Sequence, residues 1–246
     1  MRFGLRGHTA MGGMAMFFPF FYDPTILIVL PGLLLALWAQ FRVNSTFSKY
    51  SEVGTHRGYT AEQAARILLD ENNLQSVRIE RVSGHLSDHY DPRDKVLRLS
   101  DSVMNSTSVA ALGVAAHEAG HAVQDANGYK PLVLRSAMAP VVSIGSNLAI
   151  PLFILGLIFA WEPLVNLGII LFSLIVVFSL VTLPVEFDAS RRALATLEGN
   201  SLLDSDELTG ARRVLNAAAL TYVAAALQSI LNLLRLLILS GGRRRD

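Results

Sequence analysis

The chain has 246 residues, 52% of them hydrophobic, and a formal net charge of +1 at pH 7, with a mean hydropathy of +0.41. That is too apolar for an ordinary soluble enzyme of this length and predicts a protein that crosses the membrane several times. So small a net charge gives no reason to expect a nucleic-acid partner, and the lack of cysteine excludes disulfides and thiolate ligands, so any transition-metal site must draw on His, Asp or Glu.

Residues 1–16 are Gly- and Met-rich and read as a leader, with Met16 an alternative start to Met1. A cleaved signal peptide is disfavoured, because the apolar run that follows is long and no small-residue cleavage site closes it. Residues 17–41 are the first predicted transmembrane helix, and their apolar core from Pro24 to Ala39 can span a hydrocarbon layer of ~30 Å. Tyr22 and Trp38 stand near its ends, where amphipathic rings favour the interface, and Pro31-Gly32 predicts a kink.

Residues 42–130 form a soluble α+β section. Thr60-Ala61-Glu62-Gln63 is a capping box that opens an amphipathic helix ending near Asn72. Val77 to Val82 alternates with period two and reads as a strand, and so does Lys95 to Leu99. Leu86 to Tyr90 is a weaker strand, joined to Lys95–Leu99 as a hairpin by the turn Asp91-Pro92-Arg93-Asp94. Ser106 or Ser108 caps a further helix that runs to about Asp125, and Asn127-Gly128 ends it.

Residues 131–160 are a second predicted transmembrane helix, with Arg135 as its one charge and Pro140 or Pro151 as its kink. Trp161-Glu162-Pro163 turns the chain, and residues 164–185 are a third span. Residues 186–213 are polar, two helical pieces divided at Gly199-Asn200. Residues 214–239 are a fourth apolar segment. Asn216, Gln228, Asn232 and Arg235 leave it open whether this segment spans or packs against the other helices. Residues 240–246 are a basic tail. Because spans two and three form a hairpin, residues 42–130 and 186–213 lie on one side of the membrane and can meet.

Within the Ala-rich run from Val109 to Val123 stands His117-Glu118-Ala119-Gly120-His121, an HExxH motif. On a helix the two histidines share a face and can point two imidazoles at one Zn2+ ion, with Glu118 one step around to meet a water activated by the metal. Chance would produce the pattern in roughly one of two hundred such chains. A hydrolytic zinc site takes three protein ligands and leaves one position open. A metzincin would need Gly at 124 and His at 127, where this chain has Gln124 and Asn127, and no Leu-Asp-Gly-like segment of a site-2 protease lies in a downstream span. A thermolysin-like arrangement needs a Glu on a following helix. Glu186, 65 residues after His121 and where a span emerges, fits. Asp188 is its rival, but on a helix it faces about 200° away. Glu118 is then the catalytic acid/base that takes a proton from the water and passes it to the leaving amine. Possible supporting residues are His89 or Tyr90, as donors to a developing oxyanion on a strand that could hold an extended peptide, and Asp125, as a buttress of His121. His85 is a weaker candidate for the same role, and Gly120 allows close approach to the helix.

The chain resembles the putative neutral zinc metallopeptidase family of bacterial membrane proteins, the YugP type. The resemblance runs from about Phe21 onward. It rests on Tyr22-Asp23-Pro24-Thr25, Ser45 to Tyr50, Asp88-His89-Tyr90-Asp91-Pro92-Arg93, Val114 to Ala122, Pro131 to Ser136 and Leu183 to Ser190. It implies a gluzincin-like core with His117, His121 and Glu186 as zinc ligands and Glu118 as catalytic residue. The wider clan of membrane gluzincins often carries Glu-x-x-x-Asp at the third ligand, and here Ser190 stands four residues after Glu186. Asp188 or Asp125 could substitute for the carboxylate that braces a histidine.

The expected fold is therefore a mainly α membrane protein, with three to four transmembrane helices and a small α+β gluzincin-like core of a short β-sheet and the HExxH helix. Eight Lys and Arg flank the spans on the catalytic side (Arg42, Lys49, Lys130, Arg135, Arg191, Arg192, Arg212, Arg213), and five lie on the other (Arg2, Arg6, Arg243, Arg244, Arg245) if the fourth segment spans. The resemblance implies a multi-pass protein of the bacterial cell membrane, and this balance predicts that its site is cytoplasmic. The expected activity is a membrane-anchored zinc endopeptidase acting on a peptide or membrane-protein substrate. The alternative is a non-catalytic membrane scaffold with a structural or vestigial zinc site, which would have no need of Glu118.

Overall fold

A computed structural model describes residues 24–242. The leader, Tyr22 and the Arg243–Arg245 run lie outside the described residues. In chain order the elements are α1 (Ile26–Ser51), α2 (Ala61–Glu71), β1 (Arg78–Val82), β2 (His89–Asp91), β3 (Val96–Ser100), α3 (Val109–Ala126), α4 (Lys130–Ile158), α5 (Glu162–Gly199) and α6 (Ser205–Gly242). The protein is a mainly α membrane protein. Among the described residues α1, α4, α5 and α6 are long and apolar enough to cross a membrane, so the fourth segment is a candidate span. Large apolar side chains such as Leu34, Ile144, Ile158 and Ile170 are exposed on their outer faces, as suits helices whose solvent is lipid.

In lipid no hydrophobic force drives helices together, so they associate through close backbone approach at small residues. A Cβ placed on Gly168 of α5 would lie 2.8 Å from the Ala149 carbonyl oxygen of α4. At Gly32 of α1 it would meet the Gln228 side chain of α6. The predicted Pro31-Gly32 kink is thus a site of helix contact, and α1 runs through Pro31 without interruption.

Three of these helices extend beyond the expected membrane boundaries. The first span was expected to end at residue 41, but α1 continues to Ser51. The stretch after Phe41 contains no Gly or Pro, and Phe47 packs into the hydrophobic core that α2, β3 and α3 share. Similarly, α5 passes straight through Pro184 to Gly199, and α6 begins at Ser205 in the polar stretch. The break between them at Asn200 is where the two helical pieces were expected to divide.

The section between α1 and α4 forms a core around α3, which is buried on almost every side. Leu69 of α2, Leu97 and Leu99 of β3 and Leu112 of α3 have no exposed surface. Both caps have the expected chemistry. Thr60 and Gln63 form the complete reciprocal box at α2, and the Ser108 side chain accepts the Ala111 N–H at α3. The sheet order is β1-β3-β2, with β1 parallel and β2 antiparallel to β3. The expected hairpin is therefore β2–β3, with Asp91 accepting the N–H groups of Arg93 and Asp94 in its turn. Its first strand starts at His89 rather than Leu86, because Leu86 has φ +53° and Gly84 φ +121°, neither compatible with an extended strand.

Candidate metal centre

One close helix crossing builds the centre. Gly120 of α3 lies against α5, and a Cβ there would stand 2.8 Å from the Ala189 carbonyl oxygen. With no side chain between the helices, α5 brings Glu186 to the face of α3 that carries His117 and His121. Glu186 Oε2 lies 3.2 Å from His117 Nε2 and 3.6 Å from His121 Nε2. One ligand atom from each of the three residues falls within 4.8 Å of the others. Zinc bound by N and O at 2.0–2.1 Å in a tetrahedron has ligand–ligand edges of about 3.3 Å. The spacing and the donor set both fit that ion.

The outer nitrogens of the imidazoles are held as well. Gln124, with no exposed surface, donates through Nε2 to the Val185 carbonyl and to Asp188 Oδ2, both at 2.9 Å. Its Oε1 lies 3.0 Å from His121 Nδ1 and can only accept. His121 Nδ1 therefore carries the hydrogen, and the Nε2 lone pair faces Glu186. His117 Nδ1 lies 3.1 Å from Ser190 Oγ, so Ser190 is the group that braces this ring. Asp188 does not face the centre. Arg191 and Arg192 pair with it, and it braces His121 only through Gln124. Burial pushes the His121 imidazole down, but the hydrogen bond that only its protonated form can give to Glu186, with the charges of Glu118 and Glu186, outweighs burial and leaves its pKa raised. Glu186 is 2% exposed, and Arg135 Nη1 of α4 contacts its other oxygen, Oε1, at 3.1 Å.

Asp125 does not buttress His121 as expected. Its carboxylate turns to the β2–β3 hairpin, where it accepts from Tyr90 Oη at 2.7 Å and from Lys95 Nζ. Those two donors offer it partners that His121, already satisfied by Gln124, does not. Tyr90 in consequence has its hydroxyl committed, and burial together with Asp125 pushes its pKa up. The Tyr90 N–H donates to Glu118 Oε2 at 3.1 Å. This is a free-edge donor of a three-residue strand, so the strand addition expected at β2 loses it. His89 is exposed, with Nδ1 against the Ser87 carbonyl, and His85 sits edge-on to Phe47.

Glu118, His121 and Glu186 open into a cavity of about 310 Å³. One wall is β2 with His89, and the other is built by the long helices, with Arg135 from α4, Phe178 from α5 and Tyr222 from α6. Gln124, Ser190, Arg135 and Tyr222 take no part in the site as expected from sequence. Only Arg135 carried a signal, as the sole charge in its apolar segment. A second group, His56, Asp204 and Glu207, lies apart from the centre. There Glu207 accepts the backbone N–H groups of His56 and Asp204, tying the loop after α1 to the start of α6.

A family model described as "Putative neutral zinc metallopeptidase" matches residues 25–241. The chain is 47% identical over 214 residues to "Putative membrane protease YugP" of Bacillus subtilis (strain 168), which covers 87% of this chain and 95% of that protein. No solved structure matches.

Proposed function

Because the chain belongs to this family of putative neutral zinc metallopeptidases, we propose that it is a membrane-anchored zinc endopeptidase with a gluzincin-like site. His117, His121 and Glu186 hold the metal, and Glu118 is the general base and acid. One observation carries this reading. Three donors close enough to share one zinc ion are joined by a carboxylate that is not one of them, Glu118, which opens with His121 and Glu186 into one cavity. A structural site would have no use for that fourth group.

When bound, zinc supplies a Lewis acid and lowers the pKa of a water to about 7. The Tyr90 N–H holds Glu118 Oε2, leaving Oε1 to take the proton of the attacking water. Glu118 then returns that proton to the departing amine, so the peptide bond breaks without releasing an unprotonated amide nitrogen. The Gln124 bond fixes the His121 tautomer throughout. The substrate is a peptide segment of a membrane-associated protein, since half of the cavity wall belongs to helices that cross the bilayer. The excess of Lys and Arg on the catalytic side supports a cytoplasmic site.

The purified full-length protein tests this in detergent or nanodiscs. Glu118→Gln is expected to bind zinc as the wild type does and to lose at least about 100-fold in peptide hydrolysis. Glu186→Ala is expected to lose zinc affinity. Zinc in both wild type and E118Q with cleavage by neither would favour a scaffold, and unchanged affinity in E186A would sink the third-ligand assignment.

A further inference from the structure

We infer that Arg135 is a positioning residue of the metal centre. It holds one oxygen of Glu186 so that only the other is offered to the metal. The inference rests on the zinc-peptidase reading above and goes beyond it.

The two oxygens of Glu186 have different partners. Oε2 faces both imidazoles, 3.2 Å and 3.6 Å away, while Oε1 faces the Arg135 guanidinium at 3.1 Å. Left to itself a carboxylate can give a metal one oxygen or both, and giving both would use up the position that a hydrolytic site needs for water. A cation fixed on Oε1 removes that choice. Glu186 is almost fully buried, so Oε1 meets little solvent to compete with the guanidinium.

The choice and origin of the cation fit this role. An ionised side chain in an apolar helix is costly without a partner, and Arg135 is the one charge between residues 131 and 160. Arginine keeps its charge at any physiological pH and presents its donors in a rigid fork, so it fixes direction as well as charge. It also comes from α4, whereas the ligands come from α3 and α5. The bond ties α4 to α5 where α5 presents Glu186. Groups that orient metal ligands are commonly worth 10–100-fold in metal affinity.

The test uses the full-length protein in nanodiscs as wild type, R135Q and R135K. Zinc affinity is measured by chelator competition, and the coordination by the visible absorption of the Co2+-loaded forms. R135Q is expected to bind zinc ~10–100-fold more weakly and to show a weaker Co2+ band, as higher coordination replaces the tetrahedral form. R135K, which restores charge without the fork, is expected to fall between the two. A folded R135Q with wild-type affinity and spectrum overturns the inference. If R135Q does not fold, R135K decides by the same criterion. A wild type that takes up no zinc overturns the underlying metallopeptidase reading, and the inference with it. A wild type that binds zinc beside an equally competent R135Q overturns the inference alone.

Discussion

The orientation of His121 depends on Gln124, a side chain with no surface of its own. Its amide has one acceptor and one donor group, and both are committed, Oε1 to His121 and Nε2 to Val185 and Asp188. Gln124→Leu keeps much of the volume and removes all three bonds. It leaves the His121 N–H buried without a partner, a loss of about 1–3 kcal/mol. We expect a lower thermal midpoint and zinc binding weakened by ~10–100-fold, as for other groups that orient a ligand. Isothermal titration at wild-type affinity would mean that His121 is held by something else. The motif pair itself was legible in the sequence because helix periodicity alone puts His117 and His121 on one face. Glu186 was legible by elimination among few carboxylates. The role of Gln124 was not, because it depends on how α5 lies against α3, and a Gln three residues after a His reads equally well as a solvated side chain.

At the scale of elements, the centre exists because α3 and α5 touch at Gly120. A methyl group added there meets the Ala189 backbone at 2.8 Å, and backbone cannot swing aside as a side chain can. Gly120→Ala must push the helices apart, at about 1–3 kcal/mol for such overpacking, and it moves Glu186 away from the histidines. Gly113, two turns earlier on the same helix, makes the control, since a Cβ there would lie 3.5 Å from Ala211 Cβ, an ordinary contact. Thermal melts with and without zinc should therefore separate the two variants. G120A is expected to lose both stability and the increment that zinc adds, and G113A to keep both. Equal behaviour would detach the centre from this crossing. The sequence made the caps, the motif helix and the β2–β3 turn legible, because each is written in adjacent residues. It did not reveal that α1 and α5 run unbroken from their candidate spans into the core around α3. Hydropathy marks where lipid contact ends, and a helix needs no break there.

For the whole molecule, the path of the chain makes a definite statement about sides. If α1, α4, α5 and α6 all cross, the α3–α4 junction lies with the metal centre, and the α4–α5 turn lies across the bilayer from it. The chain has no cysteine, so single cysteines report without background. Asn127, in the exposed stretch after α3, and Trp161, 57% exposed in the α4–α5 turn, serve as the two probes. With a membrane-impermeant maleimide on intact bacterial cells, Trp161→Cys should label and Asn127→Cys should label only after permeabilisation. The reverse pattern would put the site outside the cytoplasm and overturn the reading of the Lys and Arg balance. Labelling of both in intact cells would mean that the α4–α5 hairpin does not cross. The experiment bears on mechanism as well as topology. Arg135 and Glu186 stand on the two arms of that hairpin and bond to each other, so the insertion that fixes the sides of the protein also sets the partner of Glu186, the proposed third ligand. A chain whose hairpin failed to insert would keep the HExxH helix and lose the arrangement that makes it a centre.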